Sequence, residues 1–152
     1  MQLSNTVLSA LFAAAASGAA VKSRDAFTYN VFGFSANCIP HSVQCGYGFR
    51  LIPSTAAPGS NGTICGNLVN GPDNLPPLPP TPCFDPQYTY SIAIADGGLT
   101  LTVTSAVDAH TNATGTHEAT ADQFIIQNGG TTFSQIYVGP TNFTLDTVEV
   151  TV

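Results

Sequence analysis

The stretch Y-T-Y-S-I-A-I-A-D-G-G-L-T-L-T-V-T, residues 88–104, decides the fold class. Tyr88, Tyr90, Ile92 and Ile94 fall on one side of an extended chain, with Thr89, Ser91, Ala93 and Ala95 on the other. Side chains of a strand alternate between faces, so this run is a half-buried strand. Asp96-Gly97-Gly98 supplies turn residues, and Leu99, Leu101, Val103 and Val107 then resume the alternation against Thr100, Thr102 and Thr104. The whole reads as an antiparallel hairpin.

The same period extends in both directions. Upstream, Phe27, Tyr29 and Val31 alternate with Thr28 and Asn30. Val43, Cys45, Tyr47, Phe49 and Leu51 form one face of a second run, with Gly46 and Gly48 opposite, and residues 63–69 make a short third strand. The glycines point to a bulge, a bend or close backbone packing. Downstream, 124–127 and 132–138 flank Asn128-Gly129-Gly130 as a second hairpin, and 147–152 closes the chain as a last strand. Residues 108–116 read as a polar loop. Residues 70–86 (N-G-P-D-N-L-P-P-L-P-P-T-P-C-F-D-P) read as an extended polyproline-like connection, because proline cannot donate to a ladder. Short strands with turns at this spacing predict an all-β fold, an antiparallel β-barrel in preference to a β-sandwich. Closure into a barrel also pairs the sheet edges.

The chain has 152 residues, enough for one domain and one core. Its first twenty read as a signal peptide: an apolar run at 7–16 (V-L-S-A-L-F-A-A-A-A) followed by Ser17, Gly18, Ala19 and Ala20. Lys22-Ser23-Arg24 makes 21–26 a short pro-segment or flexible N-terminus, which leaves 27–152 as a single β domain. The net charge of −6, from three basic and nine acidic residues, disfavours nucleic acid and anionic lipid. No later apolar run is long enough for a transmembrane helix, so no membrane insertion is expected. Only 8% of residues are charged, which suits an exported protein kept soluble by hydroxyls, amides and glycans. The sequons at Asn61, Asn112 and Asn142 are candidate N-glycan acceptors in surface loops.

Cys38, Cys45, Cys65 and Cys83 predict two disulfides, since an even set in a small exported domain pairs by default. Their separations of six, nineteen and seventeen residues lack the short knuckles of a zinc site. Three pairings exist, and Cys38–Cys45 with Cys65–Cys83, closing two local loops, is preferred.

The residues offer little for catalysis. His110 and the His117-Glu118 pair flank a Thr/Asn-rich stretch without helical metal-ligand spacing, so these and His41 read as loop histidines. The carboxylates Asp85, Asp96, Asp108, Glu118, Asp122, Asp146 and Glu149 sit at expected turns and strand ends, where acids cap the backbone. No GxSxG elbow and no spare cysteine is present. Catalytic residues, cofactor and metal are therefore all expected to be none. Tyr47, Phe49, Tyr88 and Tyr90 are assigned to the core by alternation, and Arg50, facing away from Phe49, is expected to pair with a nearby acid.

A signal ending S-G-A-A, the Lys-x-Arg step, four cysteines opening with Cys-x6-Cys, a Thr-rich β body and A-D-Q-F-I-I-Q-N-G-G (121–130) together resemble small secreted proteins of filamentous fungi. The closest resemblance is to the small secreted hypersensitive-response-inducing elicitor (effector) proteins of plant-pathogenic fungi, of the rice blast fungus type. It implies an extracellular protein of the host apoplast, perceived by plant cells, that triggers defence and cell death and aids virulence without catalysis. The implied partner is a plant cell-surface component or wall glycan, bound by a monomer. A fungal cell-wall-associated structural or carbohydrate-binding protein is the alternative, and a small secreted hydrolase the second.

Overall fold

Alternation of buried and exposed side chains runs through ten antiparallel strands of a computed structural model that describes residues 27–71 and 74–151. The signal-peptide and pro-segment assignments (1–20 and 21–26) lie outside the described residues. The strands are β1 (Thr28–Cys38), β2 (Gln44–Pro53), β3 (Thr63–Asn70), β4 (Leu78–Pro82) and β5 (Tyr88–Ala95), then β6 (Gly98–Asp108), β7 (Thr111–Ala119), β8 (Phe124–Asn128), β9 (Phe133–Tyr137) and β10 (Phe143–Thr151). They pair in the order β3-β2-β1-β10-β7-β6-β5-β4, with the β8–β9 hairpin attached through β1. The result is a nearly closed antiparallel β-barrel, as the alternation predicts.

The hairpin of residues 88–104 forms in the expected register, Tyr90 opposite Val103 and Ile92 opposite Leu101. Its turn is Asp96-Gly97, both at positive φ (51° and 76°), the conformation that matches the twist of two paired strands. β1 carries a device that the alternation alone does not reveal. Gly33, at φ 64°, interrupts the register between Phe32 and Ser35. The extra residue moves the inward positions from Tyr29 and Val31 to Phe34, Ala36 and Cys38. It also lets β1 serve two neighbours, pairing with β10 at Thr28–Val31 and with β9 at Asn37.

Tyr29, Phe34, Leu51, Tyr90, Leu101 and Leu145 fill the interior. Phe34 makes edge contacts with Tyr137 (5.1 Å) and Phe143 (5.6 Å), and Phe49 with Tyr90 (5.3 Å). Each such pair contributes about 0.5–1.5 kcal/mol beyond its buried area. Burial pushes the Tyr90 hydroxyl up to about 12 and raises that of Tyr47, whose OH donates to Pro76 O at 2.6 Å. The β8–β9 hairpin covers one end of the barrel, where the Leu75 amide donates to Gln135 Oε1 at 2.9 Å.

Two expectations need correction. The Pro-rich stretch 70–86 is not loop throughout: Leu78–Pro82 forms β4, pairing with β5 at Thr81–Tyr90 and Pro82–Thr89. β4 is an edge strand, where a missing N–H removes no ladder partner on the open side. Residues 108–116 are likewise not a polar loop, because Thr111–Ala119 forms β7 and the turn is confined to Ala109-His110. The inward positions of β7 are the small residues Ala113 and Gly115, and this hid the strand. A Cβ on Gly115 would lie 2.8 Å from Leu145 Cβ and 3.2 Å from Tyr29 Cδ2, so close packing requires glycine there.

Candidate functional site

The wall between β3 and β4 carries no strand ladder among the described residues. It is held by the Cys65–Cys83 disulfide, by the Phe84 amide donating to Ile64 O at 2.8 Å, and by the Asp85 amide donating to Thr63 Oγ1 at 2.9 Å. The second disulfide joins Cys38 to Cys45, which face each other across β1 and β2. The segment after Cys83 is a compact turn. Asp85 Oδ1 accepts from the Gln87 amide at 3.2 Å, and Asp85 O accepts from the Tyr88 amide at 3.1 Å. With Cys83 pinned on one side and β5 starting on the other, the turn stands at the barrel mouth opposite the β8–β9 hairpin.

A second segment, 54–62, faces it. The Ser54 amide donates to Thr28 O at 2.8 Å, and Ser54 Oγ accepts from the Thr28 amide at 2.9 Å. Its far end is set by Gly62, at φ 64°, where a Cβ would lie 2.1 Å from Leu51 O. Only glycine supplies both that conformation and that clearance. Between the two segments lies a cleft of about 400 Å³ lined by Leu51, Pro53, Thr55, Phe84, Asp85 and Tyr88, among others. A second hollow of about 210 Å³ shares Pro53, Thr55, Gln87 and Tyr88 with it and extends toward Phe27 and Ser105. Beneath, Tyr29 OH donates to Ala113 O at 3.2 Å and lies 2.7 Å from Ser105 Oγ, which closes the floor with satisfied polar groups.

The side chains of the rim differ in character from the core. Phe84 is 91% exposed. Tyr88 is half-buried, and its ring meets Tyr29 edge-on at 6.2 Å. Burial raises the Tyr88 hydroxyl above the usual phenol range, hydrogen bonding to Gln87 lowers it in part, and the Asp85 charge raises it further. Asp85 is partly buried and forms no ion pair with any described residue.

The other singled-out residues scatter. Asn61 is exposed in the 54–62 segment, while Asn112 lies in β7 rather than in a loop, and Asn142 Oδ1 accepts from the Gly33 amide at 2.9 Å. His41 and His110 are exposed in turns, His41 at φ 60°. His117 is not a loop histidine. It sits in β7 facing inward, stacked on Phe143 with centroids 3.7 Å apart and planes 11° from parallel, and its Nε2 is buried without a hydrogen-bond partner. Desolvation lowers its proton affinity. Asp96 and Glu118 share a hollow of about 290 Å³ at the opposite end from the cleft. Asp122 accepts from Thr120 Oγ1 at 2.5 Å and Asp108 Oδ1 from the His110 amide at 2.9 Å, while Asp146 and Glu149 stand along β10. Among the described residues no three His, Cys, Asp or Glu side chains gather as a metal site requires.

Tyr47, Phe49 and Tyr90 lie inside as alternation predicts, and Tyr88 lines the cleft instead. Arg50 points outward as expected, between Phe32 and Ile64 in the cross-strand register, but it forms no ion pair with a described residue. Phe84 was missed. Its only signal in the sequence is an aromatic set between a cysteine and the turn-forming Asp85-Pro86.

These features define a disulfide-closed, all-β barrel with an aromatic-rimmed cleft at one mouth. No protein-family model matches the sequence, and no curated protein matches it. Among solved structures, the chain is similar to the crystal structure of the Alternaria alternata major allergen Alt a 1. The identity is 15%, over 81% of this chain and 94% of that one, with a TM-score of 0.48.

Proposed function

We propose that this protein is a secreted, non-catalytic effector, perceived by plant cells as an elicitor of defence and cell death in the host apoplast. The observation that carries the reading is the closure of the barrel by Cys65–Cys83 beside a nearly naked Phe84 ring. Disulfides persist in oxidising compartments outside the cytosol, which supports export. The interior is filled by side chains such as Tyr29, Phe34 and Leu101, so recognition falls to the rim and outer wall. The resemblance in leader, cysteine pattern and Thr-rich body supports the fungal elicitor class.

Infiltrating the pure folded protein into leaves is expected to cause local necrosis or an oxidative burst, and a reduced and alkylated sample is expected to be inert. Absence of a response across several hosts overturns the elicitor reading. Recovery of the native protein in a salt- and detergent-resistant hyphal wall fraction favours the wall-associated role instead.

A further inference from the structure

The cleft combines three properties that bear on what it can bind. Asp85 is partly buried there, with Oδ1 engaged by the Gln87 amide and no ion pair to any described residue. Its Oδ2 has no hydrogen-bond partner among the described residues, which leaves that oxygen to accept from a cationic donor. Phe84 and Tyr88, one residue before it and three after, line the same cleft. Aromatic faces carry negative charge density and attract cations within about 6 Å of the ring. Finally, among the described residues no basic side chain lines the cleft, and Arg50, the only Lys or Arg among them, lies on the outer face of β2. With nine acids against three bases in the chain, the surrounding field repels anions and gathers cations.

We propose that this cleft binds an organic cation, an ammonium or guanidinium carried on a short apolar chain, with Asp85 as counter-ion and Phe84 and Tyr88 as ring walls. Its volume of about 400 Å³ lies within the usual range for small-ligand sites and exceeds what a bare inorganic ion fills. Thr55 and Gln87 add hydrogen-bonding groups for the remaining N–H donors. The same chemistry is carried by a Lys or Arg side chain of a partner protein and by a free polyamine. The inference does not depend on elicitor activity, because binding is measured in vitro.

The test is an amide chemical-shift titration of the folded protein with two probes, the blocked peptide acetyl-Gly-Arg-Gly-amide and spermidine. Cellotriose serves as a neutral sugar. Shifts confined to the 83–88 and 54–62 segments are expected with one or both cations, and the tighter probe identifies the source. Asp85→Asn, which keeps the acceptor for the Gln87 amide, is expected to weaken binding about tenfold. Phe84→Ala leaves the net charge unchanged and removes a side chain that is not packed, so it is expected to fold and to weaken binding several-fold. Asp96→Asn, at the opposite end, is expected to leave binding unchanged. Shifts spread over the acidic surface, equal losses in Asp85→Asn and Asp96→Asn, no loss in Phe84→Ala, or a response to cellotriose alone overturn the proposal.

Discussion

Cys65 and Cys83 are joined across the interval of the barrel wall that has no strand ladder among the described residues, whereas Cys38 and Cys45 are joined within one. The two bridges therefore do different work. Loop-closure entropy alone assigns roughly 3 kcal/mol to the longer loop and roughly 2 kcal/mol to the shorter. The difference in the native state is larger than that comparison implies, because β1 and β2 keep their ladder when Cys38–Cys45 is removed, while without Cys65–Cys83 the Phe84 turn is left on β3 by the two hydrogen bonds to Ile64 and Thr63.

Cys65→Ala with Cys83→Ala is accordingly expected to lower stability by at least about 3 kcal/mol and to raise hydrogen exchange in β3 and β4. Cys38→Ala with Cys45→Ala is expected to cost about 2 kcal/mol and leave exchange at the cleft unchanged. Urea unfolding and exchange mass spectrometry measure both. Equal exchange at the cleft in the two variants contradicts the assignment.

The His117 imidazole, stacked on Phe143 with Nε2 buried and unpartnered, is held neutral by desolvation. Its folded-state proton affinity is below the unfolded value, so the unfolded state binds more protons as pH falls. Stability is therefore full above the ordinary histidine value of about 6.5 and is lost as pH falls through the lower folded value. The slope reaches at most about 1.36 kcal/mol per pH unit in that window. His117→Phe retains a ring over Phe143 and is expected to remove this component. Unfolding midpoints of both proteins at pH 7.5 and pH 5 test it, since the two differ only at position 117. An unchanged difference between the two pH values rules out His117 as the source.

Gly62 sets the far side of the cleft. At φ 64°, with a Cβ placed 2.1 Å from Leu51 O, Gly62→Ala forces both an unfavourable backbone conformation and a backbone displacement. The expected cost is about 2 kcal/mol or more, together with weaker cation binding. Gly48→Ala is the control, because its Cβ would meet only Ser35 Oγ at 3.4 Å, and its cost is expected to stay under about 1 kcal/mol. Chemical denaturation of the pair decides the point, and equal losses refute the role given to Gly62.

Much of the fold was legible along the chain. The run from Tyr88 to Val103 alternates apolar and polar residues and breaks at Asp96-Gly97, and the hairpin follows that text. What misled was composition. Prolines hid β4 because an edge strand tolerates them, and small inward residues hid β7 because Tyr29 and Leu145 occupy the space beside it. His117 looked like loop material for the same reason, since its neighbours Thr116 and Glu118 point outward while it turns toward Phe143. The cleft left almost no trace: Phe84 and Asp85 read as the end of a loop, and their meaning depends on residues 54–62 arriving opposite them.

By itself the sequence determined the period-two strands, the glycine turn at 96–97 and the presence of four cysteines, because each of these is local chemistry. The tertiary structure alone decided that β3 and β4 meet at a bridged seam, that Arg50 stands outside with no ion pair among the described residues, and that Asp85 lies in an aromatic cleft. Those outcomes depend on contacts such as Asp85 with Thr63 and Tyr29 with Ser105, separated by 22 and 76 positions. Ring closure of the sheet brings such residues together, and no short pattern along the chain encodes which of them will meet.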